Sequence, residues 1–346
     1  MGLSNGIKIG RMKRGRLNSI SDVKGVTVGH FTLAEGPIQT GVTAIKPHQG
    51  NLFREKLLAA CQVLNGFGKS VGLVQVEELG TLETPILLTN TLSVGRASTA
   101  LVKEMLDENP EIGDTTGTVN PLVFECNDGY LNDIRALAVE EGHVREALSQ
   151  CATNFKEGAV GAGRGMKCFG LKGGIGTASR QWDLDGGTYH LGVLVLTNHG
   201  CFQDLLIAGK AIGQEFPSPR PREADKGSVI TIIATDLPLS SRQLKRLCRR
   251  AVVGLSKTGS LMTNGSGEIV LAFSTANRIA HNKIDAFIPL KILYDEDLDL
   301  AFQALAESVE EAVLSSLFHA ETVTGRKERK LWSLKDWLEQ CKSFEK

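Results

Sequence analysis

The chain has 346 residues, 42% of them hydrophobic and 23% charged, which is ordinary globular composition and enough to bury a sizeable core without disulfides or metals. Its 39 basic and 39 acidic residues cancel, so no net field argues for nucleic acid or an anionic membrane surface. No stretch of eighteen apolar residues implies a transmembrane span, and the seven cysteines, at 61, 126, 151, 168, 201, 248 and 341, show no C-x-x-C or Cys/His spacing; a reduced, cytoplasmic protein with no metal site is expected.

In chain order, the N-terminal "MGLSNGIKIGRMKRGR" has no apolar core of a secretory signal, and its short basic cluster reads as solvated. Gly6 breaks the myristoylation pattern. Strand-like runs follow: "GVTVGHFTL", "SVGLVQVEE", "PILLTN", "PLVFECN", "HLGVLVLTN", "SVITIIATD" and "GEIVLAFST". Each is short, rich in β-branched residues and bounded by turn formers. Between and after them lie helical patterns. "SSRQLKRLCRRAVVGLSKT" repeats Leu244, Leu247, Cys248, Ala251, Val252 and Leu255 at three and four, with Ser240 or Ser241 as cap. "DLAFQALAESVEEAVLSSLFHAET" carries Phe302, Leu305, Val309, Val313 and Leu317 on one side. Many strands are apolar throughout, so both sheet faces should be covered, in layered α/β packing.

Several glycine clusters mimic nucleotide motifs. "NGFGKS", 65–70, ends like a phosphate loop, but Val63 stands where its first glycine belongs. "GGIGTAS" and "GAGRG" fail the dinucleotide spacing. The long run "GAVGAGRGMKCFGLKGGIG" suits a site wall or tight turns between strands. His199, in "TNHG", is the one histidine beside other site-like residues, and no G-x-S-x-G elbow is present.

The most informative place is a seam. A polar stretch with Pro217, Pro219 and Pro221, "GQEFPSPRPREADKG", ends at Gly227, and an apolar strand begins at Ser228. A serine at a chain N-terminus has its own base, an α-amine with a pKa of about 7.7–8.0. Inside an intact chain that nitrogen is an amide, so the base exists only if the Gly227–Ser228 bond is cut. Gly227 lacks a Cβ and can present its carbonyl to the Ser228 hydroxyl. An ordinary loop-to-strand junction has the same appearance. Three other stretches carry matching chemistry. "NGSGEIVLAFSTAN" places Ser266 and Glu268 two apart on one face at a strand mouth, able to orient an amine. "LVLTNHG" ends a strand on Asn198, whose amide can donate to an oxyanion. "ECNDGYLND" sets Glu125, Asp128, Tyr130 and Asp133 around a turn glycine. Such polar residues at strand ends are also ordinary turn formers.

Together these four stretches resemble the L-aminopeptidase/D-esterase family, peptidase family S58, which includes the β-aminopeptidases. "LNSISDVKGVTVGH", "GVTAI", "CFGLKGGIGTASR" and "EEAVLSSLFHAETVTGR" extend the resemblance from about residue 17 to about residue 326. It implies a four-layer α/β/β/α sandwich of N-terminal-nucleophile type, with the connectivity of the ornithine acetyltransferases. One domain, 1–346, would be cut by itself into a large chain, 1–227, and a small chain, 228–346. It also implies a serine aminopeptidase acting on short peptides, amides or esters, with no cofactor, assembled as a homo-oligomer, a tetramer or larger. By position, Ser228 would be the nucleophile, Ser266 and Glu268 would orient its freed amine, and Asn198 would stabilise the oxyanion, with Tyr130 matching the tyrosine placed near that site. Asp128 and Glu125 would receive the substrate's ammonium. Cys126 departs from the small or hydroxyl residue expected there and could alter the pocket wall. An acyltransferase of the ornithine acetyltransferase kind, or a family member that does not cut itself and serves as a binding protein, would share the same outline.

Overall fold

The computed structural model describes residues 7–221 and 226–344. In chain order the elements are β1 (Thr27–Glu35), β2 (Ile38–Lys46), β3 (Glu55–Gly66), α1 (Leu73–Leu79), β4 (Thr81–Leu82), β5 (Ile86–Asn90), α2 (Val94–Glu108), β6 (Leu122–Cys126) and α3 (Glu141–Ser149). Then come the short pair β7 (Lys167–Cys168) and β8 (Leu171–Lys172), followed by β9 (Ile175–Leu184), β10 (Gly187–Asn198), α4 (Ile212–Glu215) and β11 (Ser228–Thr235). The chain closes with α5 (Ser241–Cys248), α6 (Ala251–Lys257), β12 (Gly267–Ala280), α7 (Leu298–Phe318), the pair β13 (Val323–Thr324) and β14 (Lys330–Leu331), and α8 (Leu334–Phe344).

Two sheets result, one in the order β1-β2-β5-β6, the other β4-β3-β12-β11-β10-β9. The period-two alternation of their residues builds three apolar layers. On β11, Ile230, Ile232 and Ala234 enter the core between the sheets, where they meet Ile86, Leu88, Leu122 and Phe124 of the other sheet. Val229 and Ile233 face the opposite way, onto α5, α6 and α7. The outer face of the first sheet, with Val42, Ala44, Leu87 and Val123, is covered by α2 and α3. The layers are therefore helix, sheet, sheet, helix, as the apolar strands and the resemblance imply. No helix among the described residues is long and apolar enough to cross a membrane.

Three expectations change. The strand-like run 70–78 is mostly helix: only Val71 pairs, with Val123, before α1 begins. The reason is glycine. Gly72 at φ +93 and Gly80 at φ +67 hold left-handed backbone at both ends, closing a single helical unit that β-branched Val74 and Val76 do not oppose strongly enough. The helix expected over 240–258 begins as expected, with Ser240 and Gln243 in a reciprocal cap. It breaks at Arg249–Arg250, where the Arg250 amide turns back to the Leu247 carbonyl at 2.8 Å and its guanidinium lies 3.7 Å from the centre of the Phe302 ring. The third change is α7. It is not a one-sided helix, because Glu307, Glu310 and Glu311 are buried along with the apolar stripe. Fully buried Arg180 explains two of them, at 2.9 Å from Glu307 and 2.7 Å from Glu311, so charge pairing replaces the polar face. Glu307 also accepts the Arg11 and Met12 amides, which ties down the backbone of the N-terminal basic cluster while Arg11, Lys13 and Arg14 keep exposed side chains.

Candidate active site at the head of β11

Ser228 opens β11 between two neighbours in the sheet. Asn198, the last residue of β10, is its antiparallel partner, and Gly267, the first residue of β12, is its parallel partner. Three strand ends thus converge where the apolar runs stop and polar residues begin. The polar stretch ahead of Ser228 is partly described: α8 holds it through the Trp337 indole, which donates to the Pro217 carbonyl at 3.1 Å. Residues 222–225 of that stretch lie outside the described residues.

The Ser228 hydroxyl, buried, lies 2.8 Å from the Gly227 carbonyl oxygen. The same oxygen accepts the Gly267 amide at 3.1 Å. A hydroxyl and a polarising N–H therefore meet at one peptide carbonyl. Space here admits only glycine: a Cβ on Gly227 would stand 1.8 Å from the Asn198 carbonyl oxygen, and one on Gly267 would stand 2.6 Å from the Phe67 carbonyl oxygen.

Ser266 and Glu268 come together as their spacing predicts. Both are fully buried, and the Ser266 hydroxyl donates to the Glu268 carboxylate. The loop that presents Ser266 is pinned by Asn65, whose side-chain amide donates to the Thr263 and Ser266 carbonyls at 2.7 and 2.6 Å. Asn198 is also brought to the seam. Its side chain accepts the Lys167 amide at 2.9 Å and donates to the Asn127 carbonyl at 3.0 Å, clamping two loops to the strand end. The glycine-rich run that supplies Lys167 is held from below by fully buried Lys172, which donates to the Gly163, Met166 and Gly173 carbonyls at 2.7–2.9 Å. Burial pushes the Lys172 ammonium well below its ordinary value.

Tyr130 is half-buried, and cations surround its ring: Arg220 at 4.0 Å, Arg329 at 5.0 Å and Lys167 at 5.7 Å from the centroid. Arg220 belongs to the stretch ahead of the seam. His199 is buried and packs edge-on against Phe169. Cys126 lies in the core between the sheets, its thiol directed at the Leu196 carbonyl, and burial pushes it well above the usual thiol range. It fills the core instead of altering a pocket wall.

The two candidate ammonium receivers differ. Glu125 accepts the Lys69 amide at 2.8 Å and the Thr91 hydroxyl. The loop that supplies Lys69 also touches Gly267 through Phe67, so Glu125 and the seam share a wall. Asp128 is fully buried under the turn and accepts from Asn132 at 3.0 Å. Burial pushes its carboxyl up to about 7, against hydrogen bonds from Thr40 and Asn132. A folded value above the unfolded one means that the folded chain holds more protons between pH 4 and 7, so stability should fall as pH rises through that window. Asp128→Asn should flatten this slope and raise stability above pH 7 by on the order of 1–3 kcal/mol. Thermal melts of both proteins from pH 4 to 8 read the difference; an unchanged slope would show that Asp128 is ionised throughout.

The residues that sequence reading missed are the Gly267 amide, Asn65 and the 66–70 loop. Backbone donors have no residue-type signal. "NGFGKS" was conspicuous only as an imperfect phosphate loop, and its true place depends on the β3–β12 register, in which Asn65 pairs with Glu268.

Residues 18–331 match the family model for peptidase family S58. The chain is 37% identical over 338 residues to the beta-peptidyl aminopeptidase BapA of Sphingosinicella microcystinivorans, covering 90% of this chain and 84% of that one. Its structure is similar to that of the PH0078 protein from Pyrococcus horikoshii OT3, with a TM-score of 0.94, 50% identity and full coverage of both chains. It is also similar to the L-aminopeptidase D-Ala-esterase/amidase of Ochrobactrum anthropi, described as a prototype of the serine aminopeptidases with a variant Ntn hydrolase fold. There the TM-score is 0.89, the identity 36% and the coverage 97% of each chain.

Proposed function

The chain belongs to peptidase family S58, and from that premise we propose that this aminopeptidase is made as an inactive precursor that cuts itself between Gly227 and Ser228. The observation that carries the reading is the meeting of the Ser228 hydroxyl and the Gly267 amide on the Gly227 carbonyl. Ser228 Oγ attacks the Gly227 carbonyl carbon, giving up its proton. The Ser228 nitrogen takes a proton and leaves, and the peptide becomes an ester. Water then hydrolyses the ester, leaving a carboxylate on Gly227 and a free hydroxyl and α-amine on Ser228.

In the mature enzyme the new amine takes the proton from Oγ as it attacks the carbonyl of the substrate's first residue. The substrate carbonyl occupies the place vacated by that of Gly227, so the Gly267 amide and Asn198, with Tyr130 beside them, face the oxyanion. Ser266 and Glu268 hold the amine, which becomes cationic in the transition state. Glu125 receives the substrate's ammonium. The leaving amine is protonated, and water releases the amino acid from the acyl-enzyme. Substrates are short peptides, amides or esters with a free N-terminal amine. The test is denaturing intact-mass measurement of the purified wild type, together with amino-acid release from an aminoacyl p-nitroanilide. One uncut species with no release would refute the reading.

We further propose that the cleaved pairs assemble into a homo-oligomer through residues 281–294. Ile284, Phe287 and Tyr294 there are 85%, 86% and 80% exposed, a concentration of large apolar groups that isolated soluble chains rarely leave in water. Phe287→Asp should lower the mass seen by light scattering while leaving the far-ultraviolet circular dichroism unchanged. A wild type that runs as a single pair at micromolar concentration would refute the assembly.

A further inference from the structure

Residues 66–70 are a wall of the site whose backbone and side chains are divided in role. The Phe67 carbonyl packs against Gly267, whose own position is 3.3 Å from Ser228 Oγ when measured from a Cβ placed there. A Cβ on Gly68 would stand 3.1 Å from Ile269 and 3.6 Å from the Glu125 carboxylate. The Lys69 amide donates to that carboxylate at 2.8 Å. The backbone is thus committed to the seam on one side and to Glu125 on the other. The side chains are left to solvent: Phe67 is 59% exposed, and Lys69 is exposed with its ammonium 4.4 Å from the centroid of the Phe67 ring.

We propose that Lys69, seated on Phe67, binds a carboxylate of the substrate and so selects acidic or free-acid substrates over neutral ones. This rests on the reading of the site as an aminopeptidase. Most exposed lysines are merely solvated, and ordering their long stems offsets what a new ion pair gains. Here the ring already holds the ammonium, which lowers that ordering cost. Among the described residues, no carboxylate forms an ion pair with Lys69, so its charge is available to a ligand. The two ends of a zwitterionic substrate then meet opposite charges from one loop: the ammonium reaches Glu125, which the Lys69 amide positions, and the carboxylate reaches the Lys69 ammonium.

The carboxylate can come from the C-terminus of a dipeptide or from an acidic first residue. Three substrates separate these sources: Ala-Ala, Ala-Ala amide and Asp-Ala amide. kcat/KM is measured on each with wild type, Lys69→Met and Lys69→Arg. The wild type should favour one of the two carboxylate substrates over Ala-Ala amide by roughly three- to tenfold, the range of a partly exposed pair, chiefly through KM. Lys69→Met should collapse that ratio towards one, and Lys69→Arg should keep most of it. A preference for Ala-Ala assigns the C-terminal source, and one for Asp-Ala amide the side chain. A ratio that is the same in wild type and Lys69→Met overturns the proposal. Analogues of the three compounds with a reduced peptide bond, titrated by calorimetry, give the same ratios without turnover. If no substrate is hydrolysed, the aminopeptidase reading fails, while the binding ratios still decide the role of Lys69.

Discussion

Ser228→Ala should yield one uncut chain of 37.3 kDa with no measurable aminopeptidase activity. The wild type should separate under denaturing conditions into pieces of roughly 24 and 13 kDa, by the lengths on either side of the seam. The smaller piece should begin Ser-Val-Ile. One atom serves both steps, so its loss is absolute in each. Without Oγ there is no acyl shift. Without the shift there is no α-amine, and an amide nitrogen has no basicity with which to activate water. Removing a covalent nucleophile costs at least about 10⁴-fold in kcat where the rest of a site survives, and here the base is lost with it. The substitution removes a single oxygen from a buried strand end, so folding should persist, and thermal melting checks that. A Ser228→Ala protein that is cut, or that turns over substrate above about a thousandth of the wild-type rate, would refute the mechanism.

Glu268→Gln should lower kcat/KM by about 10²- to 10³-fold and slow the appearance of the two chains. The side chain keeps its shape and burial but loses its charge. Glu268 is fully buried and accepts from Ser266, one step along β12 from the residue paired with Ser228. An amine that must become an ammonium in the transition state is stabilised there by a carboxylate in a site closed to water, where charge interactions are strong. A glutamine offers a weaker dipole. Ser266→Ala, which leaves the carboxylate in place, should cost less, about tenfold. The readouts are steady-state kinetics and the rate of chain separation after synthesis, with melting temperature as the control for folding. Glu268→Gln activity within threefold of wild type would remove the carboxylate from the mechanism.

The residues behind both predictions stand out by type, while their roles come from the family resemblance; the Lys69 prediction has neither source. Ser228, Ser266, Glu268 and Asn198 each end or open an apolar strand run, and polar groups at such ends are visible without coordinates. Tyr130 and Glu125 were visible for the same reason. Their relative placement was not, because it follows from strand order: Ser228 has Asn198 on one side and Gly267 on the other only because β11 lies between β10 and β12.

The sequence by itself determined the layered α/β class, the positions of β1, β5, β6, β10, β11 and β12, and the place where a polar stretch meets an apolar strand at Ser228. These depend on local periodicity and on the abrupt change from polar to apolar residues, which need no knowledge of distant contacts. Only the tertiary structure decided which backbone amide polarises the Gly227 carbonyl, that 66–70 walls the site, and that α7 buries its acids against Arg180. Each of those depends on partners far apart in the chain, brought together by crossovers between sheets. The same holds for α1. Its β-branched residues read as strand, and the left-handed glycines at 72 and 80, with the sheet edge already occupied by Val71, settled it as helix.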